Sequence, residues 1–398
     1  MKNPRRAVLI VLGLWLVVIL VVTIRGGVAP HQNTVFLVFR EAGRAWVAAQ
    51  PLYAQVGKYL YSPLVAAFFT PFSLMPDWAG SALWRLVTGL PYLFAVVCWF
   101  RREQREPVPT ALGLLLLLPL SIGNLNNGQA SPLIIALLLC GCLAFLDERW
   151  TLAAACISVA AFFKIYPLAI GLLLVVIEPR RMGWRLILGI LILGALSLVL
   201  QRPDYVVGQY RDWWRSLEQD QRRVSTELGS WRDAWLLLRI VHFPITVAGY
   251  TVLQVIAALA AAFFCWQRSK VWDRPALTWF AFAIGCLWIT LFGPSTELTT
   301  YIFLAPAVAF TCAWVLWPMV SGGRPVRQLL PIAAYGLLLL AEALNAWVPV
   351  IRENNYLHAI QPIGALLFLG FVIGCNPLLF SGGERVRAPV AVQRTRNP

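Results

Sequence analysis

Long apolar runs separated by short polar segments dominate the chain from its first residues to about residue 380. Each run has roughly 17–25 residues, the length of an α-helix that crosses a hydrocarbon core of about 30 Å. The 398 residues are 59% hydrophobic and 13% charged, with a mean hydropathy of +0.70, and water-soluble domains do not have this composition. The pattern predicts an all-α polytopic membrane protein with about 11–13 transmembrane helices.

Arginine and lysine are distributed unevenly between the polar segments. One assignment of sides collects 19 of the 33 Lys and Arg residues in the segments 1–6, 101–107, 147–150, 178–185, 266–274, 321–328 and 381–398. Basic short loops face the cytoplasm, so we expect both termini there. This placement accounts for the net charge of +15, and we expect a lipid bilayer rather than nucleic acid as the partner.

One stretch does not fit this orientation easily. Between the outer segment that ends near Tyr61 and the inner segment 101–107, the chain must cross an odd number of times. The sequence nevertheless contains two apolar runs there, and the first, "PLVAAFFTPFSLMP" (63–76), is short and contains three prolines. Either this run dips into the membrane without crossing, or the assignment of sides fails locally.

Two longer outer segments have amphipathic patterns. In the first, 25–60, apolar residues repeat at helical spacing between Val35 and Trp46, which predicts a helix lying in the membrane interface. The second, 201–243, contains "YVVGQYRDWWRSLEQDQRR", whose paired tryptophans are typical of the headgroup level. A solvated helix between two spans is the alternative interpretation of the second segment.

The stretch "NLNNGQ" (124–129) places amides between two apolar runs. The first run, from about Thr110, has only about 13 residues and is too short to span with ease. Irregular backbone at membrane depth is tolerated when it lines a wet cavity, where Asn124, Asn126, Asn127 and Gln129 would suit sugar hydroxyls. The alternative is a capping loop that turns at Gly128.

A second interruption places Lys164 within an apolar region. Too few residues separate "DERW" (147–150) from "EPRRM" (178–182) for two full crossings, so the chain must turn near "KIYP" (164–167). An intramembrane lysine is costly and is a functional candidate by default. We expect Lys164 to bind an anion, either a carboxylate or the phosphate of a lipid substrate, and a lysine that snorkels to the boundary is the alternative.

A third interruption, "FGPSTELTTYIFLAPA" (292–307), contains Glu297. Glu297 could belong to a helix-capping box whose boundary lies at Pro294 or Ser295. It could equally be a carboxylate that faces the same outer cavity.

Together these pieces resemble glycosyltransferase family 87. The matching residues are "PLY" (51–53), "YSPLVAAFFTPFSLMP" (61–76), "NGQASPLIIALLL" (127–139) and "KIYPL" (164–168). The family consists of integral membrane enzymes with a GT-C-like bundle, and it includes mannosyltransferases that use polyprenyl-phosphate mannose. The resemblance implies a sugar donor on a polyprenyl phosphate and a glycan or glycolipid acceptor whose hydroxyl attacks the anomeric carbon.

The resemblance also suggests roles for individual residues. It implies that Asn127 and Gln129 line the sugar site and that Lys164, with Tyr166 nearby, binds the lipid phosphate. The matched motifs add Tyr53 and Tyr61 as substrate-binding candidates. Asn124 belongs to the same amide stretch, and Arg40 and Arg44 are further candidates for the phosphate.

The chain departs from the family at one position. Family members usually carry an aspartate at the start of the first outer amphipathic helix, where this sequence has Val35, or Asn33 in a shifted alignment. A general base for the acceptor hydroxyl is therefore missing there. The candidate substitutes are Glu297, Glu41 and His31, with Asp204 a weaker one.

We expect no cofactor, because the outer loops contain no DxD-type metal motif and a basic side chain would have to do the work of a metal. The sequence leaves a divalent metal open. The predicted organisation is an amino-terminal module (1–180) that includes the outer loop 25–60, a carboxyl-terminal bundle (181–380) that includes the loop 201–243, and a cytoplasmic basic tail (381–398).

The predicted function is transfer of a mannose-like hexose at the extracytoplasmic face of the plasma (inner) membrane. The alternative is a transporter, flippase or binding subunit for lipid-linked sugars, which would use the same cavity without a base. Transporters often contain repeated halves with matching broken helices, and the carboxyl-terminal half has no second copy of "NGQ" or "KIYP". In a purely structural subunit, Lys164 would pair with Glu297.

Overall fold

A computed structural model describes residues 4–54, 59–103, 107–219, 231–294, 296–320, 329–347 and 355–374. The regular structure of these residues is entirely helical. In chain order the helices are α1 (Pro4–Val28), α2 (Phe36–Val47), α3 (Pro63–Leu74), α4 (Asp77–Glu103), α5 (Pro107–Asn127), α6 (Ser131–Leu146), α7 (Trp150–Phe163), α8 (Leu168–Ile177), α9 (Pro179–Leu200), α10 (Pro203–Gln219), α11 (Ala234–Ile240), α12 (Val247–Ser269), α13 (Arg274–Phe292), a 3₁₀ helix (Leu298–Phe303), α14 (Ala305–Val320), α15 (Leu329–Trp347), α16 (Asn355–His358) and α17 (Ile360–Gly374).

Among the described residues, eight helical stretches are long and apolar enough to cross a membrane. They are α1, α4, α5, α9, α12, α13, α15 and the stretch Tyr356–Gly374 that contains α17. Five shorter apolar helices, α3, α6, α7, α8 and much of α14, pack among them. The protein is a multi-pass integral membrane protein, and the all-α polytopic prediction is confirmed.

The short helix α3 explains the ambiguous stretch before residue 101. It has 12 residues and rises only about 18 Å, which is too little to cross the hydrocarbon core. The next helix, α4, has 27 residues and is long enough to cross. Of these two helices, only α4 is therefore long enough to cross a membrane.

The predicted turn at Lys164 separates two short helices. Helix α7 has 14 residues and α8 has 10, so neither reaches across a membrane by itself. Lys164 follows α7 in an extended conformation, with φ −147° and ψ 136°. The chain therefore turns back between α7 and α8 and presents Lys164 within the protein.

The amphipathic helix predicted in the first outer segment is α2, but its apolar face does not lie on lipid. Phe39 is fully buried and stacks on Phe69 of α3 with ring centroids 5.0 Å apart. Trp84 of α4 completes this aromatic cluster. Gly43 allows the close approach, because a Cβ atom there would lie 2.9 Å from Cβ of Ser73. Protein packing has taken the place of the predicted membrane contact.

The prediction of a short, interrupted helix before residue 122 is wrong. Helix α5 is continuous for 21 residues up to Asn127, even though it contains Pro119. The asparagines occupy its last turns rather than an irregular loop. The chain can continue the helix this far because other residues satisfy the carbonyl groups at its end.

Candidate active site

A cavity of about 530 Å³ contains several of the residues that the sequence singled out. Its predicted members are Tyr61, Gln129, Lys164, Tyr166 and Glu297. The other lining residues are Val35, Val38, Phe39, Leu60, Ile165, Trp213, Trp214, Leu217, Glu218, Trp231 and Pro294. We call this space the Lys164 cavity. It lies where α2, the α5–α6 junction, the α7–α8 turn, α10 and the 3₁₀ helix meet.

The ammonium group of Lys164 lies between two aromatic rings. Its Nζ atom is 5.5 Å from the ring centroid of Tyr166 and 5.9 Å from that of Tyr61. At these distances the two rings make cation–π interactions with the ammonium group. Such interactions stabilise a partly desolvated positive charge without neutralising it. Within the described residues Lys164 belongs to no ion pair. Its positive charge is therefore available to an anion in the cavity.

Tyr61 is held in place by two neighbours. Its backbone carbonyl accepts a 2.7 Å hydrogen bond from the hydroxyl of Tyr53, and its ring packs against Phe39 with centroids 4.7 Å apart. Burial raises the pKa of Tyr61 above its ordinary value, and the Lys164 charge offsets part of that rise. Tyr61 therefore stays protonated at neutral pH and can donate a hydrogen bond.

Glu297 fulfils both roles that the sequence left open. It is the N-cap of the 3₁₀ helix, and its side chain accepts from the backbone N–H of Thr300. The Thr300 hydroxyl in turn accepts from the Glu297 N–H at 3.1 Å, so the capping box is complete. The carboxylate also lines the Lys164 cavity. The cap begins at Glu297 rather than at Pro294, and Ser295 lies outside the described residues.

Backbone pairing around Arg232 fixes the position of Glu297. The N–H of Arg232 donates to the carbonyl of Thr296 at 2.7 Å. The hydroxyl of Tyr301 donates to the Arg232 carbonyl at 2.6 Å. These bonds flank Glu297 on both sides and hold its backbone beside the cavity wall.

The end of α5 explains the amide stretch. The N–H of Gln129 donates to the carbonyl of Asn124 at 3.1 Å, and the N–H of Gly128 donates to that of Leu125 at 3.2 Å. Gly128 has a φ of +67°, so this is a Schellman motif. The predicted capping loop is present, and it turns the chain so that Gln129 lines the cavity.

Side chains from α4 close this helix end. The guanidinium of Arg85 donates to the Asn126 carbonyl at 2.8 Å and to Ser81 Oγ at 2.6 Å. The indole N–H of Trp84 donates to the Gly128 carbonyl at 2.7 Å. Arg85 is only 2% exposed, so it acts as a buried clamp on the turn that presents Gln129.

Val35 lines the cavity at the start of α2. This is the position where the resemblance leads one to expect an aspartate. An aliphatic side chain there cannot accept a proton, and the cavity carboxylates among the described residues are Glu218 and Glu297.

Comparison with known protein families identified a match. The family model described as Glycosyltransferase family 87 matches residues 59–294, which is more than half of the chain. The chain belongs to glycosyltransferase family 87. Four of the five predicted cavity residues, Tyr61, Gln129, Lys164 and Tyr166, lie in the matched region, and Glu297 lies just beyond it.

No curated protein matches the chain. Among solved structures, the chain is similar to the crystal structure of ArnT from Cupriavidus metallidurans bound to undecaprenyl phosphate, with 16% sequence identity and a TM-score of 0.37. That match covers 93% of this chain and 77% of ArnT. The family assignment alone makes the protein a membrane glycosyltransferase.

Several candidates of this glycosyltransferase lie outside the cavity lining. Arg40 forms an ion pair with Asp77, and His31 Nε2 lies 2.7 Å from the same carboxylate. Asp77 was not singled out from the sequence, because 46 and 37 residues separate it from these partners. The three residues form a polar cluster that joins the first outer segment to the start of α4.

The remaining candidates have structural surroundings of their own. Glu41 is exposed and lines a separate cleft of about 160 Å³. Asn124 is buried in α5, and Asn127 offers its backbone carbonyl to the N–H of Val35. The Tyr53 hydroxyl donates a hydrogen bond to the Tyr61 carbonyl. Asp204 is exposed in the first turn of α10. Their proposed roles as base or substrate ligands stay predictions.

Sequence reasoning missed the contribution of α10 to the cavity. Trp213, Trp214, Leu217 and Glu218 all line it, and their spacing is that of one helix face. The paired tryptophans had been interpreted as headgroup anchors. Glu218 lies one helical turn after Trp214, and this spacing was the sequence signal that the two side chains share one face of α10.

The cavity draws on both sides of the predicted module boundary at residue 180, since α10 and Glu297 follow it. The basic tail 381–398 lies outside the described residues. In the part of the chain that the structure describes, no group of three or more His, Cys, Asp or Glu side chains could hold a metal ion.

Proposed function

We propose that this glycosyltransferase moves a mannose-like hexose from a polyprenyl phosphate to an acceptor hydroxyl, at the extracytoplasmic face of the plasma (inner) membrane. The resemblance to polyprenyl-phosphate-dependent members of the family suggests the donor. The Lys164 cavity supports it, because it combines a cation, two carboxylates and an amide with many aromatic side chains.

The observation that carries the proposal is the ammonium group of Lys164, which lies between Tyr61 and Tyr166 and belongs to no ion pair within the described residues. When the bond between the anomeric carbon and the phosphate oxygen breaks, the electron pair goes to the phosphate and its negative charge grows. A cation in a site of reduced dielectric stabilises that growing charge more than water does. In the proposed reaction, Lys164 therefore binds the donor phosphate and assists its departure.

Glu297 is the base of the proposed reaction. The acceptor oxygen forms a bond to the anomeric carbon, and its proton passes to the carboxylate of Glu297. Accepting the Thr300 N–H uses only part of the acceptor capacity of a carboxylate. The capping box thus orients Glu297 and leaves it able to take a proton. Gln129, whose amide both donates and accepts, would bind sugar hydroxyls.

Transfer by the purified protein in lipid vesicles tests this function. We would supply a panel of radiolabelled polyprenyl-phosphate sugars and a crude envelope glycan fraction as acceptor, and compare the native protein with Lys164→Gln. Lys270→Gln is the matched control, because Lys270 lies at the end of α12 and outside the cavity lining. Transfer that Lys164→Gln abolishes and Lys270→Gln preserves is the expected result.

The same vesicles distinguish the transporter or binding subunit. Donor that moves between leaflets, or binds, without transfer of its sugar to any acceptor would reject the proposed enzyme activity at this site. A structural pairing of Lys164 with Glu297 has no support, since Lys164 belongs to no ion pair in the described chain.

The proposed orientation is tested separately by cysteine labelling. Val241 and Val271 are both strongly exposed and belong to segments that the charge pattern assigns to opposite sides. In sealed right-side-out membrane vesicles, a membrane-impermeant maleimide should label Val241→Cys and leave Val271→Cys unlabelled. The reverse labelling pattern would place the termini at the extracytoplasmic face and the cavity at the cytoplasmic face.

A further inference from the structure

Helix α10 presents two tryptophans to the Lys164 cavity, and they have different surroundings. The indole N–H of Trp213 donates to the Leu60 carbonyl at 2.9 Å, and its ring packs edge-on against Tyr210 with centroids 6.1 Å apart. Trp213 is therefore part of the packed wall. Trp214, in contrast, is 60% exposed, although it also lines the cavity.

Glu218 holds the exposed indole in a defined position. The N–H of Trp214 donates to Glu218 Oε1 at 2.5 Å, which is a charge-assisted hydrogen bond between residues one helical turn apart. The arrangement fixes an open aromatic face beside a carboxylate. An indole that served only as a headgroup anchor would need neither a carboxylate partner nor a position in the cavity lining.

This pair of groups matches the chemistry of a sugar ring. Pyranose rings have C–H faces that pack on aromatic surfaces and hydroxyls that donate to carboxylates. The negative charge of Glu218 also disfavours the donor phosphate, which is attracted to Lys164 instead. The charges of Lys164 and Glu218 thus favour an anion at the α7–α8 turn and a neutral hydroxyl-rich group at α10.

We propose that Trp214 and Glu218 form a subsite for a sugar ring of a neutral glycan acceptor. The ring stacks on Trp214, and Glu218 accepts hydrogen bonds from its hydroxyls. This inference rests on the proposed function, and it assigns the binding place of a neutral acceptor sugar to α10. Glu218 is a binding residue here, and Glu297 keeps the role of base.

The test separates acceptor binding from donor chemistry. With the acceptor found in the transfer assay, we expect Trp214→Leu to raise the acceptor KM by about 10-fold or more, and Trp214→Phe to raise it less because a ring is kept. Glu218→Gln should raise the acceptor KM by about 10-fold and change kcat only by about 2-fold. Donor affinity and the slow hydrolysis of donor by water should not change.

Trp184→Leu is the matched control, because Trp184 is 54% exposed on α9 and does not line the cavity. If the acceptor KM of both Trp184→Leu and Trp214→Leu equals that of the native protein, the subsite is rejected. Loss of donor hydrolysis together with transfer in Glu218→Gln would make Glu218 the base and would also overturn the proposal. Loss of membrane insertion in Trp214→Leu would identify an anchor instead.

Calorimetry with neutral mannose and glucose disaccharides tests the subsite even if the native protein transfers no sugar. Binding that Trp214→Leu removes and Trp184→Leu retains supports the subsite while the proposed transfer fails. If the native protein binds neither the mannose nor the glucose disaccharides but transfers sugar to a non-carbohydrate hydroxyl, the subsite is overturned. The proposed transfer function would then remain.

Discussion

The backbone N–H of Val35 donates a 3.0 Å hydrogen bond to the carbonyl of Asn127. This bond joins the start of α2 to the end of α5, and the Arg85 clamp lies beside it, with its guanidinium 3.4 Å from Thr34 Oγ1. Val35 and Gln129 are thereby fixed relative to each other on the cavity wall. The position that lacks the expected carboxylate is thus well ordered and faces the site.

The fixed position of Val35 predicts a rescue. Glu297→Gln should lower the transfer rate by about 10²–10⁴-fold, the usual contribution of a general base. Adding Val35→Asp should recover at least about 10-fold of that loss, because a second carboxylate then faces the cavity. Aspartate is also a favourable residue at a helix N-cap, so the folding of α2 should tolerate it.

Initial rates of Glu297→Gln with and without Val35→Asp check this prediction. Val38→Asp, on the same helix and also in the cavity lining, controls for the addition of negative charge alone. Equal recovery by both aspartates, or none by Val35→Asp, would contradict the account of the missing base.

The buried clamp Arg85 predicts a loss of stability. Arg85→Met removes charge-assisted hydrogen bonds to Ser81 and Asn126 and should lower the free energy of unfolding by about 2–4 kcal/mol. Arg85→Lys should recover little, because a single ammonium cannot reproduce the planar fork. Thermal unfolding in detergent measures the change.

Arg202→Met, at an exposed position before α10, is the control and should leave the unfolding temperature nearly unchanged. Full stability of Arg85→Met would show that the clamp does not hold the α5 turn.

The contact between α2 and α3 predicts a steric effect. A Cβ atom at Gly43 would lie 2.9 Å from Cβ of Ser73 and 3.2 Å from the Phe69 carbonyl carbon. Gly43→Val should therefore push α2 away from α3, with a cost of about 1–3 kcal/mol and reduced transfer, because α2 carries part of the cavity wall. Gly13→Ala, with nothing within 4 Å, should be tolerated. The unfolding temperature should fall in Gly43→Val and stay close to the native value in Gly13→Ala. A native unfolding temperature in Gly43→Val would contradict the prediction.

The role assigned to Lys164 predicts independence from divalent metals. If the ammonium group stabilises the departing phosphate, transfer should continue at about its full rate in EDTA. Rates measured with EDTA, and after addition of Mg²⁺ or Mn²⁺, provide the check. Loss of transfer in EDTA that Mn²⁺ reverses would show that a metal shares the work.

The sequence predicted the parts of the site that depend on local length and polarity. Lys164 was identified because the flanking apolar runs are too short to cross, and α7 and α8 are indeed short. The sequence underestimates the length of α5, because the Arg85 clamp that satisfies the Asn126 carbonyl comes from a different helix.

Long-range contacts set the limit of such prediction. His31 and Arg40 were candidates for chemistry because their partner Asp77 could not be identified from spacing. Trp214 and Glu218 were missed because an amphipathic helix has the same pattern whether it faces a headgroup layer or a cavity. Polarity identified Gln129 together with the asparagines, and the family resemblance then assigned Gln129 to the sugar site and added Tyr166 beside Lys164.

The central claim is that Lys164 binds the donor phosphate and Glu297 takes the acceptor proton. It is tested most directly by measuring donor affinity and single-turnover transfer in Lys164→Gln and Glu297→Gln side by side. The account predicts that Lys164→Gln weakens donor binding strongly, while Glu297→Gln binds donor normally and transfers at least about 100-fold more slowly. Normal donor affinity in Lys164→Gln, or an undiminished rate in Glu297→Gln, would contradict it.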